Sequence, residues 1–461
     1  MVSLLSMVLA FTLTWILLPG LNKISGQQLL IDVLLKPRMI ALIVLTPIIV
    51  GTLSGLYPAL FMSSFQPVKV LKGLFSPSGR SISFRKVLVT VQFAISIILI
   101  ISTGVVFQQL QYMQKKSLGF DRDHIVTLGY YMGLNDKFET FRNELMSTGS
   151  IKNVTRSSRI PTGRLLDAMG TSIKKSGDSL VPANVDIKFL NVDQDFISTY
   201  AVKMVAGRNF SREYGMDTAS FLINEAAVKV LGLKSNQDAI GTDIAYGRRT
   251  GKILGVMNDF HFESMHQKIS PIIMMNPTPS NGRFGRISIK IAGDNIQGTI
   301  AHIEKVWNRF LSGTPFEYKF LDENFDRLYE SETRQGKLFT IFAFIAIFIA
   351  CLGLFGLSAF AISQRIKEIG IRKVLGASTG NIVSLLSKDF LRLVIISAVF
   401  AFPIAWYAMN NWLMDFAYRV NIPWWLFLLA GLVACFVALA TISFQAIKAA
   451  FANPVKNLRT E

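Results

Sequence analysis

"GLFGLSAFAISQRIKEIGIRKVLGAS", Gly353–Ser378, is where this chain changes solvent. Up to Ile362 the stretch is apolar; beyond it come Arg365, Lys367, Arg372 and Lys373 against one acid, Glu368. A helix needs about 20 apolar residues to cross a bilayer, and basic residues directly after such a run mark the cytoplasmic side. The apolar run begins near residue 338, so 338–361 is predicted to span a membrane and to deliver the basic segment into the cytoplasm. Within that span Ala343, Ala346, Ala350, Gly353 and Gly356 recur every three or four residues, a small-residue face for close helix contact. The face suits either packing inside one membrane domain or a seam between two.

Five further stretches have the length and apolarity of spans: 1–18, 39–62, 86–107, 390–412 and 423–446. Pro47 and Pro58 fall in the second, where neighbouring helices can satisfy the freed carbonyls, and Trp424 and Trp425 open the last at interface depth. Residues 1–18 read better as a span than as a cleaved signal, because no basic residue precedes the run. By parity the segments 63–85, 362–389 and 447–461 share one side, and with Lys86 and Arg392 at their edges they carry 14 basic against 3 acidic residues. That side is cytoplasmic, which puts residues 108–336 outside.

Composition agrees with this division. Of 461 residues 51% are hydrophobic and only 17% charged, where a soluble protein carries about a quarter. The net charge of +18 is uneven: residues 108–336 hold 29 basic and 25 acidic residues, the remainder 19 and 5. The positive excess therefore belongs to membrane-flanking loops, and nucleic-acid binding is excluded as its cause. Cys351 and Cys435 lie inside apolar runs and read as packing residues. Residues 108–336 mix strand-like runs (Gly285–Gly293, Lys252–Val256) with helical ones (Lys137–Leu145, Ile300–Leu311) and read as α+β. The fold class expected is an α-helical polytopic membrane protein of six transmembrane helices, with an α+β extracytoplasmic domain between the third and fourth.

Two segments repeat. Tyr57–Gly73 (YPALFMSSFQPVKVLKG) and Phe444–Thr460 (FQAIKAAFANPVKNLRT) align without gaps at Ala59/Ala446, Pro67/Pro454, Val68/Val455, Lys69/Lys456 and Leu71/Leu458. Each leaves the membrane into a basic cytoplasmic tail, which reads as a duplication. The boundaries then expected are 1–85 for the last two helices of a first repeat, 86–107 for a transmembrane helix, 108–336 for the outer domain and 337–461 for a three-helix permease domain. On this reading the chain is an amino-terminally truncated form of a two-repeat protein; a six-span architecture in its own right is the alternative.

Lys367, Glu368, Ile369, Gly370, Ile371, Arg372 and Lys373, with Leu375, Gly376, Ala377 and Ser378, resemble the KEIGIRK-x-LGAS signature of the FtsX-like permease family. The stretches AGRNF (Ala206–Phe210), INEAAVKVLGL (Ile223–Leu233), AIGTDI (Ala239–Ile244) and ILGVMNDFHF (Ile253–Phe262) look like a MacB-type periplasmic core domain. Asn258 departs from the pattern, which leads one to expect a charged residue there. The resemblance implies the permease subunit of an ABC transporter in a bacterial inner membrane. Its partner would be a separate cytoplasmic ATPase, with a periplasmic adaptor or an outer-membrane channel as further partners, for export or extraction of a substrate. It implies ATPase coupling through Arg365, Lys367, Glu368, Ile369, Arg372 and Lys373, and helix packing through Ala346, Ala350, Gly353 and Gly356. From the residues alone, the charges could meet acidic groups on a partner while Ile366, Ile369 and Leu375 anchor it; positive-inside bias alone would also account for them.

No G-x-x-x-x-G-K-[ST] occurs, so the chain is not expected to be an enzyme or to bind a cofactor. Asp259, His261 and His266 lack metal-ligand spacing and read as structural, and Glu323, Asp326 and Glu330 as a solvated face. The spans carry almost no central charge, which argues against a secondary transporter. A signalling relay acting on an outer partner such as a cell-wall hydrolase shares every feature above and stays open as the alternative.

Overall fold

Long apolar runs with no solvent for their backbone polar groups must close hydrogen bonds internally, and they do so as helices. The structure, a computed structural model, describes residues 2–30, 32, 36–63, 84–174, 180–213, 217–277 and 284–450. In chain order it has helices α1 (Val2–Ser25), α2 (Pro37–Ser63) and α3 (Phe84–Lys115), then β1 (Ile125–Gly129), α4 (Phe138–Met146) and β2 (Ile151–Ser157). There follow β3 (Thr171–Lys174), β4 (Leu180–Ala183), β5 (Lys188–Asn191), β6 (Met204–Gly207), β7 (Phe221–Asn224) and α5 (Glu225–Val230). Next are β8 (Asp243–Tyr246), β9 (Arg249–Met257), β10 (Ile272–Met275), β11 (Arg286–Ile291), α6 (Ile296–Phe310), β12 (Tyr318–Phe320) and α7 (Leu321–Leu328). The last described helices are α8 (Glu330–Gln364), α9 (Ile366–Val374), α10 (Thr379–Leu413) and α11 (Trp424–Ala450). It divides into two units: Met1–Gln108 with Ser331–Asn411 and Asn421–Glu461, and Gln109–Glu330 with Trp412–Val420.

In the first unit, five helices among the described residues are long and apolar enough to cross a membrane: Val2–Ser25, Arg85–Lys115, Glu330–Gln364, Val383–Leu413 and Trp424–Lys448. The sixth expected span is helical as α2, but most side chains beyond Thr52 lie outside the described residues, and its apolar part there is only Pro37–Thr52. The proposed repeat falls largely on residues 64–73 and 451–460, which also lie outside them.

Buried positions in this unit run in steps of four. Val89, Phe93, Ile97, Ile101 and Val105 line α3, Ala350, Leu354, Ser358 and Ile362 line α8, and Ala430, Ala434, Ala438, Ile442 and Ala446 line α11. Rows spaced by four are the ridges that interlock between packed helices. Small residues on them let backbones approach closely, while Leu428, Leu432 and Phe436 face outward. The Ser397 hydroxyl reaches the Thr90 carbonyl at 2.8 Å and so ties α10 to α3.

The second unit has two sheets. A four-stranded antiparallel sheet runs β12-β1-β11-β2, with α4 and α6 on one face. Ile287, Ile289 and Ile291 alternate inward along β11, meeting Phe138, Phe141 and Trp307. An eight-stranded sheet runs β4-β3-β8-β9-β7-β10-β5, with β6 beside β9; the pairs β7/β9 and β5/β10 are parallel. Asn224 closes β7 and caps α5, its side-chain oxygen accepting from the Ala227 N–H at 3.1 Å. Asp193 holds the two sheets' edges together: it accepts from the Thr155 hydroxyl and from the Arg156 N–H, the latter at 2.9 Å. Burial pushes its carboxyl up to about 7.

Candidate functional site

The Gly353–Ser378 stretch is folded as the end of α8, the short helix α9 and the start of α10. Its LGAS portion has a local physical reading. Gly376 adopts φ of +91°, and the Ala377 N–H donates to the Arg372 carbonyl at 2.9 Å, the six-to-one bond that ends a helix. Two residues on, the Ser378 hydroxyl accepts from the Asn381 N–H at 3.3 Å and caps α10. One helix is stopped and the next started within three residues.

On α9, Glu368 and Arg372 pair at 2.8 Å one turn apart, and Arg365 reaches Asp389 of α10 at 3.4 Å. All four are substantially exposed. Ile371 and Leu375 are exposed too, Leu375 at 80%. Ile369 is not: at 7% exposure it packs with Ile362, Leu386 and Ala446. Sequence reading grouped Ile369 with the partner-facing residues. Its position on the buried face makes it the anchor of α9 on its own unit, and Ile371, two residues on, takes the outer face. Lys367 and Lys373 lie on the helix, with side chains outside the described residues.

The small-residue face of α8 is partly as expected. Ala343 and Ala350 are buried and Ala346 half-buried, and a Cβ on Gly353 would lie 2.5 Å from Gln92 Oε1 of α3. Gly356 is exposed with open space around it, so it takes no part in packing within this unit. The reason is the four-residue step: from Ala350 the buried row passes to Leu354 and Ser358, and Gly356 falls between.

The soluble unit contains a second constellation that sequence reading missed. Trp412–Val420, the link between α10 and α11, belongs to this unit. Gln109 grips it by the backbone, donating to the Tyr418 carbonyl at 2.8 Å and accepting from the Val420 N–H at 2.9 Å. The Lys116 ammonium lies 3.7 Å from the centre of the Tyr418 ring, with His261 edge-on at 4.6 Å. His266 stacks on Phe416 at 4.4 Å and its carbonyl accepts from the Ala417 N–H at 3.2 Å. Burial, with Lys116 adding to it, pulls His261 down to about 4. Asp259 sits apart from both histidines, accepting from the Ala226 N–H of α5 at 2.8 Å. Three aromatic residues (Trp412, Phe416, Tyr418) in so short a link between spans were the signal available in the sequence.

The family described as FtsX-like permease C-terminal matches residues 340–454, which include α9, all of α10 and most of α8. The chain carries an FtsX-like permease domain. Similarity to known proteins extends beyond it. The macrolide export ATP-binding/permease protein MacB of Neisseria gonorrhoeae (strain ATCC 700825 / FA 1090) is 25% identical over 328 residues, 68% of this chain and 50% of that protein. MacB of Bartonella quintana (strain Toulouse) is 27% identical over 234 residues, 48% of this chain and 35% of that protein. The chain thus spans half or less of the length of these relatives. Among solved structures, the periplasmic region of MacB from Actinobacillus actinomycetemcomitans is 14% identical with a TM-score of 0.32, covering 47% of this chain and 98% of that one. The extracellular domain of the noncanonic ABC-type transporter YknZ from Gram-positive bacteria is 13% identical with a TM-score of 0.28, covering 46% and 92%. In the FtsX-like domain, α9 is the short helix set between two long membrane helices.

Proposed function

We propose that the chain is the membrane-spanning permease of an FtsX/MacB-type ABC transporter. A separate cytoplasmic ATPase drives it, and its soluble unit stands on the far side of a bacterial inner membrane. The observation that carries this reading is α9 within the FtsX-like match, with Glu368, Ile371, Arg372 and Leu375 on an outward face and Ile369 keyed into its own unit. A partner that engages the outer face displaces α9 as a body. Because Ile369 is wedged among Ile362, Leu386 and Ala446, the displacement passes to α8, α10 and α11 rather than dissipating in a loop. The work done on the far side is export or extraction of a substrate, with an adaptor or outer-membrane channel as partner there. Six spans, the second supplied by α2, and the divisions 1–85, 86–107, 108–336 and 337–461 complete the proposal.

The test replaces Glu368, Arg372 and Lys373 together with alanine in cells that also express the ATPase. Losing charged hydrogen bonds at a small interface is expected to weaken ATPase binding about tenfold or more and to abolish permease-stimulated turnover. Membrane insertion is retained, because Arg365, Lys367, Lys388 and Arg392 still hold the segment inside. Unchanged co-purification together with unchanged stimulation would leave α9 as an ordinary basic connection and overturn the reading.

A further inference from the structure

The soluble unit is close to neutral overall, yet one cavity of about 530 Å³ in it is walled by Arg159, Arg164, Arg286, Lys319 and Arg327, with Glu317 the only carboxylate among the described residues on its lining. Strand register explains part of the convergence. On β1, Thr127 stands opposite Lys319 of β12, and Gly129 stands opposite Arg286 of β11. Residues two apart on a strand share a face, so two cations flank a floor of two small residues. The turn Arg159–Arg164 supplies the next wall. Thr162 holds φ of +82° there, rare for a β-branched residue, and its N–H is fixed by the Phe262 carbonyl at 2.7 Å. The last wall is α7, where Arg327 bonds the neutral Asn324 side chain at 2.7 Å.

Arg164 pairs with Asp167. Among the described residues, Arg159, Arg286, Lys319 and Arg327 have no ion-pair partner. Like charges so gathered repel, and nothing in the packing of the two sheets needs them there. Beside them the Tyr131 ring, 43% exposed, offers an apolar surface, braced edge-on against Trp307 at 5.7 Å. A Cβ on Gly129 would come within 3.2 Å of that ring, so the glycine keeps the floor low.

We propose that this cavity binds a small ligand carrying two or more phosphate charges next to an apolar portion. Guanidinium forks match phosphate oxygens in pairs, the volume is that of a small-molecule site, and Tyr131 takes the apolar portion. A free phosphate ester and a phospholipid headgroup share this chemistry. The site is independent of α9 and of any ATPase.

The experiment titrates the purified full chain, in non-ionic detergent at low salt, with pyrophosphate and separately with short-chain phosphatidic acid. Short-chain phosphatidylcholine is the control. Wild type is expected to bind at least one of the two anions. The variant Arg286→Gln/Lys319→Gln binds it about tenfold or more weakly with unchanged thermal unfolding. Arg159→Gln/Arg327→Gln tests the opposite wall in the same way. Removing the one opposing charge, Glu317→Gln, tightens binding, an outcome that damage to the fold cannot imitate. Preference for phosphatidic acid assigns a headgroup, and preference for pyrophosphate assigns a free ester. Absence of anion binding by wild type, or equal affinity in wild type and both double variants, overturns the proposal.

Discussion

The two units mark their interiors by different rules. In the soluble unit, polarity separates inside from outside: Ile287, Ile289 and Ile291 go in, Arg286 stays out and Lys290, only 17% exposed, is paired with Asp121 at 2.6 Å. On α11 of the membrane unit both sides are apolar, and size separates them. Alanine lines the inner face of α11 while leucine and phenylalanine cover the outer one. Lipid is as apolar as leucine, so burial there gains close packing rather than escape from water. The same substitution therefore has opposite meanings in the two units, and each of the following measurements presses on that difference.

The largest effect concerns which solvent each unit meets. With Cys351 and Cys435 replaced, Ser312→Cys in the soluble unit is expected to label from outside intact cells with an impermeant maleimide, and Ser378→Cys beside α9 to be protected. Labelling in the reverse sense would invert the proposed topology. Next comes a core deletion. Trp307→Ala removes a fully buried ring from the four-stranded sheet and is expected to cost about 3–5 kcal/mol, read as a lowered unfolding temperature of the detergent-solubilised chain.

In the membrane unit the damage should come from enlargement. Ala438→Leu, on the buried row of α11, is expected to cost about 1–3 kcal/mol by overpacking. Leu432→Ala on the outer face should stay within about 0.5 kcal/mol. If the two substitutions proved equal, size would not be what separates the faces of α11.

A smaller effect comes with pH. His261 is held down at about 4, so the unfolded chain takes up a proton near 6.5 that the folded unit refuses. Its contribution is complete above about 6.5 and is lost as pH falls toward 4. Asp193 runs the other way: held up at about 7, its contribution is present below the ordinary value of 3.8 and is lost as pH rises through 7. Thermal unfolding of His261→Gln should lose less on acidification than wild type, and that of Asp193→Asn should lose less on approach to neutrality. The smallest effect is Glu368→Gln: its pair with Arg372 is half exposed and one turn long, so stability should change by less than about 0.5 kcal/mol. A large loss there would mean that α9 is built for stability rather than presented to a partner.

The same contrast governs how far the sequence could be read. Hydropathy alone was sufficient for five long apolar helices and for the strand and helix of 252–256 and 300–311, because in both cases a run of like residues reports its own surroundings. The exposure of Gly356 was not legible because glycine and alanine are small on either face of an apolar helix, and only the four-residue step of α8 tells them apart. The burial of Ile369 was not legible because a nine-residue helix with Gly370 at its centre gives too few turns to define a buried side. The link at 412–420 was passed over since its partners, Gln109, Lys116, His261 and His266, are up to three hundred residues away, and no local pattern announces such a meeting. The cations around the 530 Å³ cavity were scattered for the same reason: Arg159, Arg286 and Lys319 become neighbours only through strand register.

The grip of Gln109 on the link has an evolutionary corollary. Its amide touches one carbonyl and one N–H, groups that nearly every residue type supplies, so this contact is blind to the side chains at positions 418 and 420. Drift in the letters of the link leaves it intact, except for a proline at 420, which has no N–H to offer. Drift in length does not, because adding or deleting one residue moves both groups out of reach of a single amide. Relatives of this chain should therefore vary little in how long this link is, even where its letters change.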